Sequence, residues 1–157
     1  MAKEKNHKDI YEKYKKEYGL PELDEIKQYL EISSFENNES ILIIIKKKVL
    51  EKICKYIEIL DSVVQPDTTA ISLYENSFFT EEDRMNCFEI YKRLMVLVKH
   101  SDLVSLSESN EENAEFIRIF FEEFSSIKPK LQVVISKQKK CWEKNSSVND
   151  RILNYFG

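Results

Sequence analysis

Only two glycines and three prolines interrupt 157 residues, and that scarcity limits the fold more than any motif does. A β-rich fold needs frequent turns, and turns draw on Gly and Pro for their special backbone angles. With so few breakers the chain must run in long regular segments, and its apolar residues recur every three or four positions, the period of a helix. The composition supports folding: 42% of residues are hydrophobic and 33% are charged, the balance of a chain that can bury a core. These features predict an all-α fold, a helical bundle of about five helices with a long kinked C-terminal helix.

The pattern divides as follows. Ile10, Tyr11, Tyr14 and Tyr18 mark a first helix stopped at Gly19, the residue that ends helices most easily. A second helix is expected from Pro21 to about Ile32, burying Leu23, Ile26, Tyr29 and Leu30. From Glu39 to about Val64 the apolar positions Leu42, Ile45, Val49, Ile53, Ile57, Leu60 and Val64 form one stripe, with Leu50, Cys54 and Ile43 widening it. Lys46, Lys47, Lys48, Lys52 and Lys55 are expected to cover the opposite face. Residues 67–79 are too apolar for an ordinary loop and predict a turn or two of helix. Thr80-Glu81-Glu82-Asp83 has the form of a capped helix start. The helix it opens is expected to bury Cys87, Phe88, Tyr91, Leu94, Met95 and Val98 and to end near Lys99 or His100. Ser109-Asn110-Glu111-Glu112 repeats the capping pattern. The last helix carries Phe116, Ile117, Phe120, Phe121, Phe124, Ile127, Leu131, Val134, Ile135 and Cys141 or Trp142. Its period continues across Pro129, so a kink is expected there rather than a break. Residues 1–144 are thus read as one helical bundle domain and 145–157 as a tail.

Several kinds of chemistry have no footing here. There is no glycine pair to cradle a phosphate, and no HExxH, CxxC or Gly-x-Ser-x-Gly. Adjacent acids such as Glu81-Glu82 and Glu122-Glu123 point about 100° apart on a helix and do not converge on one substrate. Cys54, Cys87 and Cys141 lack ligand spacing and are read as reduced thiols in the core. The expectation is a protein that is not an enzyme, with no cofactor and no metal site. The longest apolar run, Ile41 to Ile45, is far short of a membrane span. The charged start Met1-Ala2-Lys3-Glu4-Lys5 has no apolar secretion core, so a cytoplasmic location is expected.

The net charge of −4 is unevenly spread. Acidic residues predominate between Glu75 and Phe124, whereas Lys128 to Arg151 is basic. A basic stretch favours a polyanion or an acidic partner surface, here a weak contact with nucleic-acid phosphates at most.

At its end, Asn149-Asp150-Arg151-Ile152-Leu153-Asn154-Tyr155-Phe156-Gly157 follows the polar run Asn145-Ser146-Ser147. In one helical turn the side chains of Ile152, Tyr155 and Phe156 share a face and make an apolar prong. Asn149-x-x-Ile152-x-x-Tyr155-Phe156 is similar to the PCNA-interacting peptide, or PIP box, by which many replication and repair proteins bind the ring-shaped sliding clamp. Asn149 stands where that family prefers Gln, keeping the amide on a shorter stem. The resemblance covers these nine residues alone. It implies an accessory or adaptor protein of DNA replication or repair, in the cytoplasm or, when bound to a clamp, the nucleoid or nucleus. Ile152, Tyr155 and Phe156 would be the anchors and Asn149 the polar contact, while Lys139, Lys140, Lys144 and Arg151 would guide encounter with an acidic partner. The alternative is a helical assembly or regulatory protein whose tail folds back and is structural. The same aliphatic-x-x-aromatic-aromatic spacing occurs at Ile117, Phe120 and Phe121, where core packing explains it.

Overall fold

A computed structural model of the chain describes residues 2–35, 40–107 and 109–144, with side chains from His7 onward. It is an all-α helical bundle. Among the described residues there are six helices and no strand: α1 (Ala2–Tyr18), α2 (Leu23–Leu30), α3 (Ile41–Val64), α4 (Ala70–Asn76), α5 (Glu81–Ser107) and α6 (Asn110–Glu143). The chain forms two compact units. The first comprises Met1–Cys54 with Met95–Ser126, the second Lys55–Leu94 with Ile127–Gly157. Helices α3, α5 and α6 contribute residues to both.

In the first unit, α1 stops as the sequence predicts. Gly19 adopts φ 67°, and the amides of Gly19 and Leu20 both donate to the Lys15 carbonyl, at 2.9 and 3.3 Å. The turn brings Pro21 under Tyr11, whose fully buried ring places its hydroxyl to donate to the Pro21 carbonyl at 2.7 Å. Burial holds that phenol above its ordinary pKa. Pro21 precedes the cap residue Glu22 instead of opening α2, because the tight turn after Gly19 takes the proline first. Leu23, Ile26 and Leu30 are buried as expected, while Tyr29 is half-buried. Its ring centroid lies 6.2, 5.7 and 5.1 Å from those of Phe120, Phe121 and Phe124. Phe116, Ile117 and Phe120 are wholly buried beside them, so the Ile117 copy of the aliphatic-aromatic spacing is core packing.

The lysines of α3 depart from expectation at one position. Lys46 is only 8% exposed. It sits four residues after Leu42 and three before Val49, so the helix itself turns it toward the core. Cys54, expected in the core, is exposed. It follows the wholly buried Ile53, and one residue further around a helix is a turn of about 100° away from it.

In the second unit, residues 67–79 include the short α4. Asp67 accepts from the Thr69 amide and hydroxyl at 2.9 and 2.6 Å, and Thr69 caps the helix by accepting from the Ser72 amide at 3.3 Å. Phe79 is buried, but Ile71 is 65% exposed. The next helix differs from its reading in both face and length. α5 buries Cys87, Ile90, Leu94, Leu97, Ser101 and Val104, spaced by threes and fours. Phe88 is exposed and Tyr91, Met95 and Val98 are half-buried. Apolar residues occupy more than one side of this helix, so its hydropathy offers several stripes. It also continues past His100 to Ser107, because Ser101 and Val104 extend the buried row. α6 runs without interruption through Pro129 for 34 residues. Its buried row ends in Ile127, Leu131, Val134 and Cys141, with Ile135 and Trp142 exposed.

Candidate functional site

Of the residues that the sequence singles out for partner binding, Asn149, Arg151, Ile152, Tyr155 and Phe156 lie outside the described residues. Lys139, Lys140 and Lys144 lie within them. All three are exposed. Lys139 pairs with Glu143 one turn on, at 3.1 Å, a contact between two solvated chains that contributes little. The Lys144 ammonium lies 4.8 Å from the ring centroid of Phe78. Near it Tyr74 packs on Trp142, centroids 5.5 Å apart, and donates its hydroxyl to the Cys141 carbonyl at 3.2 Å. These contacts fasten the last turns of α6 to α4 within the second unit.

One turn and more back along α6, Lys137 reaches the start of α5. Its ammonium bonds to the Asp83 carboxylate and lies 5.6 Å from the Phe79 ring centroid. Asp83 also accepts from the Thr80 amide and hydroxyl at 2.7 and 2.8 Å, while the Thr80 hydroxyl accepts from the Asp83 amide at 3.2 Å. This is a reciprocal cap with an aspartate in the return position. Lys137 first, then the Thr80 donors, bring the Asp83 carboxyl down to about 2. A cleft of about 260 Å³ opens beside the pair, with Phe79, Cys87, Ile90 and Val134 among its walls. Burial, aided by the Asp83 charge, pushes the Cys87 thiol up to about 11. It is therefore protonated at neutral pH and is a poor nucleophile or metal ligand. A shallower cleft of about 570 Å³ runs past Pro129, Gln132, Ser136 and Lys140.

The first unit holds a polar cluster that sequence reasoning missed. Lys46 donates to the Ser105 hydroxyl at 2.9 Å, and that hydroxyl donates to the Ser101 carbonyl at 2.8 Å. Asn113, 1% exposed, donates from its amide nitrogen to the Ser109 carbonyl at 2.7 Å, while its oxygen is buried and has no hydrogen-bond partner among the described residues. The cluster borders a cleft of about 350 Å³ between α3 and α5, walled also by Ile43 and Leu50. The one sequence signal was positional: Lys46 shares the register of Leu42 and Val49. Its partner Ser105 is 59 residues away, beyond the reach of any local pattern.

Lys46 bonds to a serine whose proton goes to a carbonyl, and Lys137 neutralises a capping carboxylate; both arrangements position backbone. Among the described residues no group of three or more His, Cys, Asp and Glu side chains is placed to hold a metal ion. No helix among them is long and apolar enough to cross a membrane. Comparison with protein-family models, with curated proteins and with solved structures finds no match to this chain.

Proposed function

We propose that this chain is a non-enzymatic accessory protein of DNA replication or repair that docks a PCNA-type sliding clamp through Ile152, Tyr155 and Phe156, with Asn149 as the polar contact. The observation that carries the reading is the residue pattern itself: an amide, an aliphatic three positions on, and an aromatic pair three positions beyond that. The exposure of Lys139, Lys140 and Lys144 at the neighbouring end of α6 supports it. Three cations there, with Arg151 beyond, speed encounter with an acidic surface and allow weak contact with nucleic-acid phosphates.

The expected strength follows from burial. Each anchor contributes roughly 1.5–3 kcal/mol when fully buried, and ordering the segment and losing free tumbling offset part of that sum. A dissociation constant on the order of 1 μM needs about 8 kcal/mol net, which the three anchors reach only with help from Asn149 and the flanking cations. Calorimetric titration of a PCNA-type clamp with the intact protein and with a Tyr155→Ala, Phe156→Ala double variant tests the reading. Micromolar binding by the intact chain and at least a 50-fold loss in the variant is the expected result. Absent binding, or equal binding by both, contradicts it.

A further inference from the structure

Helix α5 packs one side into the first unit through Leu97, Ser101 and Val104. Its other side carries Val96, Leu103 and Leu106, which are 68%, 66% and 84% exposed. At 100° per residue these three fall within about 80° of one another on the helix surface. They share one face of the helix, as a strip, and are not scattered exposed residues. Lys99 lies on the same strip and Asp102 at its margin, bridged to each other at 3.1 Å with both side chains well solvated. Water does not favour such a strip, and large exposed apolar patches mark interaction surfaces.

The spacing within the strip selects the partner. Val96 and Leu106 are equidistant from position 101, and so are Lys99 and Leu103. A second copy of α5 laid antiparallel, with the two-fold axis at position 101, sets Val96 of each copy against Leu106 of the other. It also lays the aliphatic stem of each Lys99 over the other copy's Leu103, a placement that long cationic side chains favour. Each Lys99 ammonium then faces the Asp102 carboxylate of the opposite copy, so the pair now bridged within one helix exchanges across the axis. One strip carries both charges in self-complementary order, as an isologous contact requires.

We infer that this face of α5 is a homodimer contact, with a second copy of the chain as its occupant. The strip is narrow, well below the roughly 800 Å² per partner of a stable interface, so the dimer is weak and reversible. Sedimentation velocity of the full chain between 5 and 500 μM tests it. The expected result is a monomer–dimer equilibrium in that range. Leu103→Glu raises the dissociation constant at least tenfold, with far-UV circular dichroism unchanged because the site is solvent-exposed. A charge swap sharpens the test. Lys99→Asp and Asp102→Lys each weaken self-association, and mixing the two variants restores a 1:1 dimer. A wild-type chain monomeric at 500 μM overturns the inference. So does a dimer indifferent to Leu103→Glu, or a swap pair that fails to recombine.

Discussion

The two units of this chain differ in the balance between apolar burial and polar bonds. The first is packed around aromatic rings: Tyr29, Phe116, Phe120, Phe121 and Phe124 come from α2 and α6, with Phe120 and Phe124 stacked at a centroid distance of 5.4 Å. The second buries fewer side chains, and beside them has side-chain-to-backbone bonds of the kind that Tyr11 and Asn113 make in the first. Asn76 donates to the Ser62 and Ser72 carbonyls at 2.8 and 2.9 Å, Arg84 to the Asn76 carbonyl at 3.1 Å, and Asp83 binds both Thr80 and Lys137. Apolar burial tolerates changes of pH and salt, whereas hydrogen bonds to charged groups do not. The difference teaches that a helical chain with few turn residues can fix its connections either by ring packing or by polar pins, with distinct sensitivities.

The largest expected effect lies in the ring cluster. Phe120→Ala removes a wholly buried ring and should cost about 3–5 kcal/mol, read as a shift in the urea midpoint. A loss below about 1 kcal/mol would mean that the rings are not the core of the first unit. Next comes Asn76→Ala, which removes the side-chain donor to the Ser62 and Ser72 carbonyls and should cost about 1–3 kcal/mol in the same measurement. If it costs nothing, the polar pins of the second unit are ornamental and the contrast fails.

The smallest effect is tuned by pH. Asp83 has its carboxyl lowered from 3.8 to about 2 by Lys137 and Thr80. A carboxyl lowered on folding contributes in full above its unfolded pKa, and that contribution fades as pH falls through the folded value. Thermal melts between pH 5 and pH 2 should therefore show stability falling below about pH 4. Asp83→Asn should cost about 1 kcal/mol at neutral pH, the usual loss for a weakened cap, and should flatten that acid slope. An unchanged slope would remove Asp83 from the account.

How much of this was legible in the sequence depended on whether one apolar stripe dominated. In α6 the row from Phe116 to Val134 has a single strong period, and it locates the buried face. Thr80 and Asp83 announced the start of α5 because capping is local chemistry. The end of α5 was not legible. Ser101 occupies a buried position, and a serine reads as a break in the stripe. The exposure of Phe88 is hidden for the opposite reason, since α5 has apolar residues on two sides and only tertiary packing chooses between them. Lys46 was hidden by its charge, although its register with Leu42 and Val49 pointed inward. Cys54 is apolar and beside the buried Ile53, and hydropathy alone does not tell that it faces outward. Of the proposed docking residues only Lys139, Lys140 and Lys144 lie among those described, so the functional reading rests on residue spacing at 149–156.

The proposed function rests on recognition by the segment from Asn149 to Phe156. The most direct measurement is a nitrogen–proton correlation spectrum of the isotope-labelled full chain, titrated with an unlabelled PCNA-type clamp. The account predicts that the amide signals of Ile152, Tyr155 and Phe156 shift or broaden first and most, with weaker changes near Lys139 to Lys144. Unperturbed signals at those three residues, whether or not the helices respond, would contradict it.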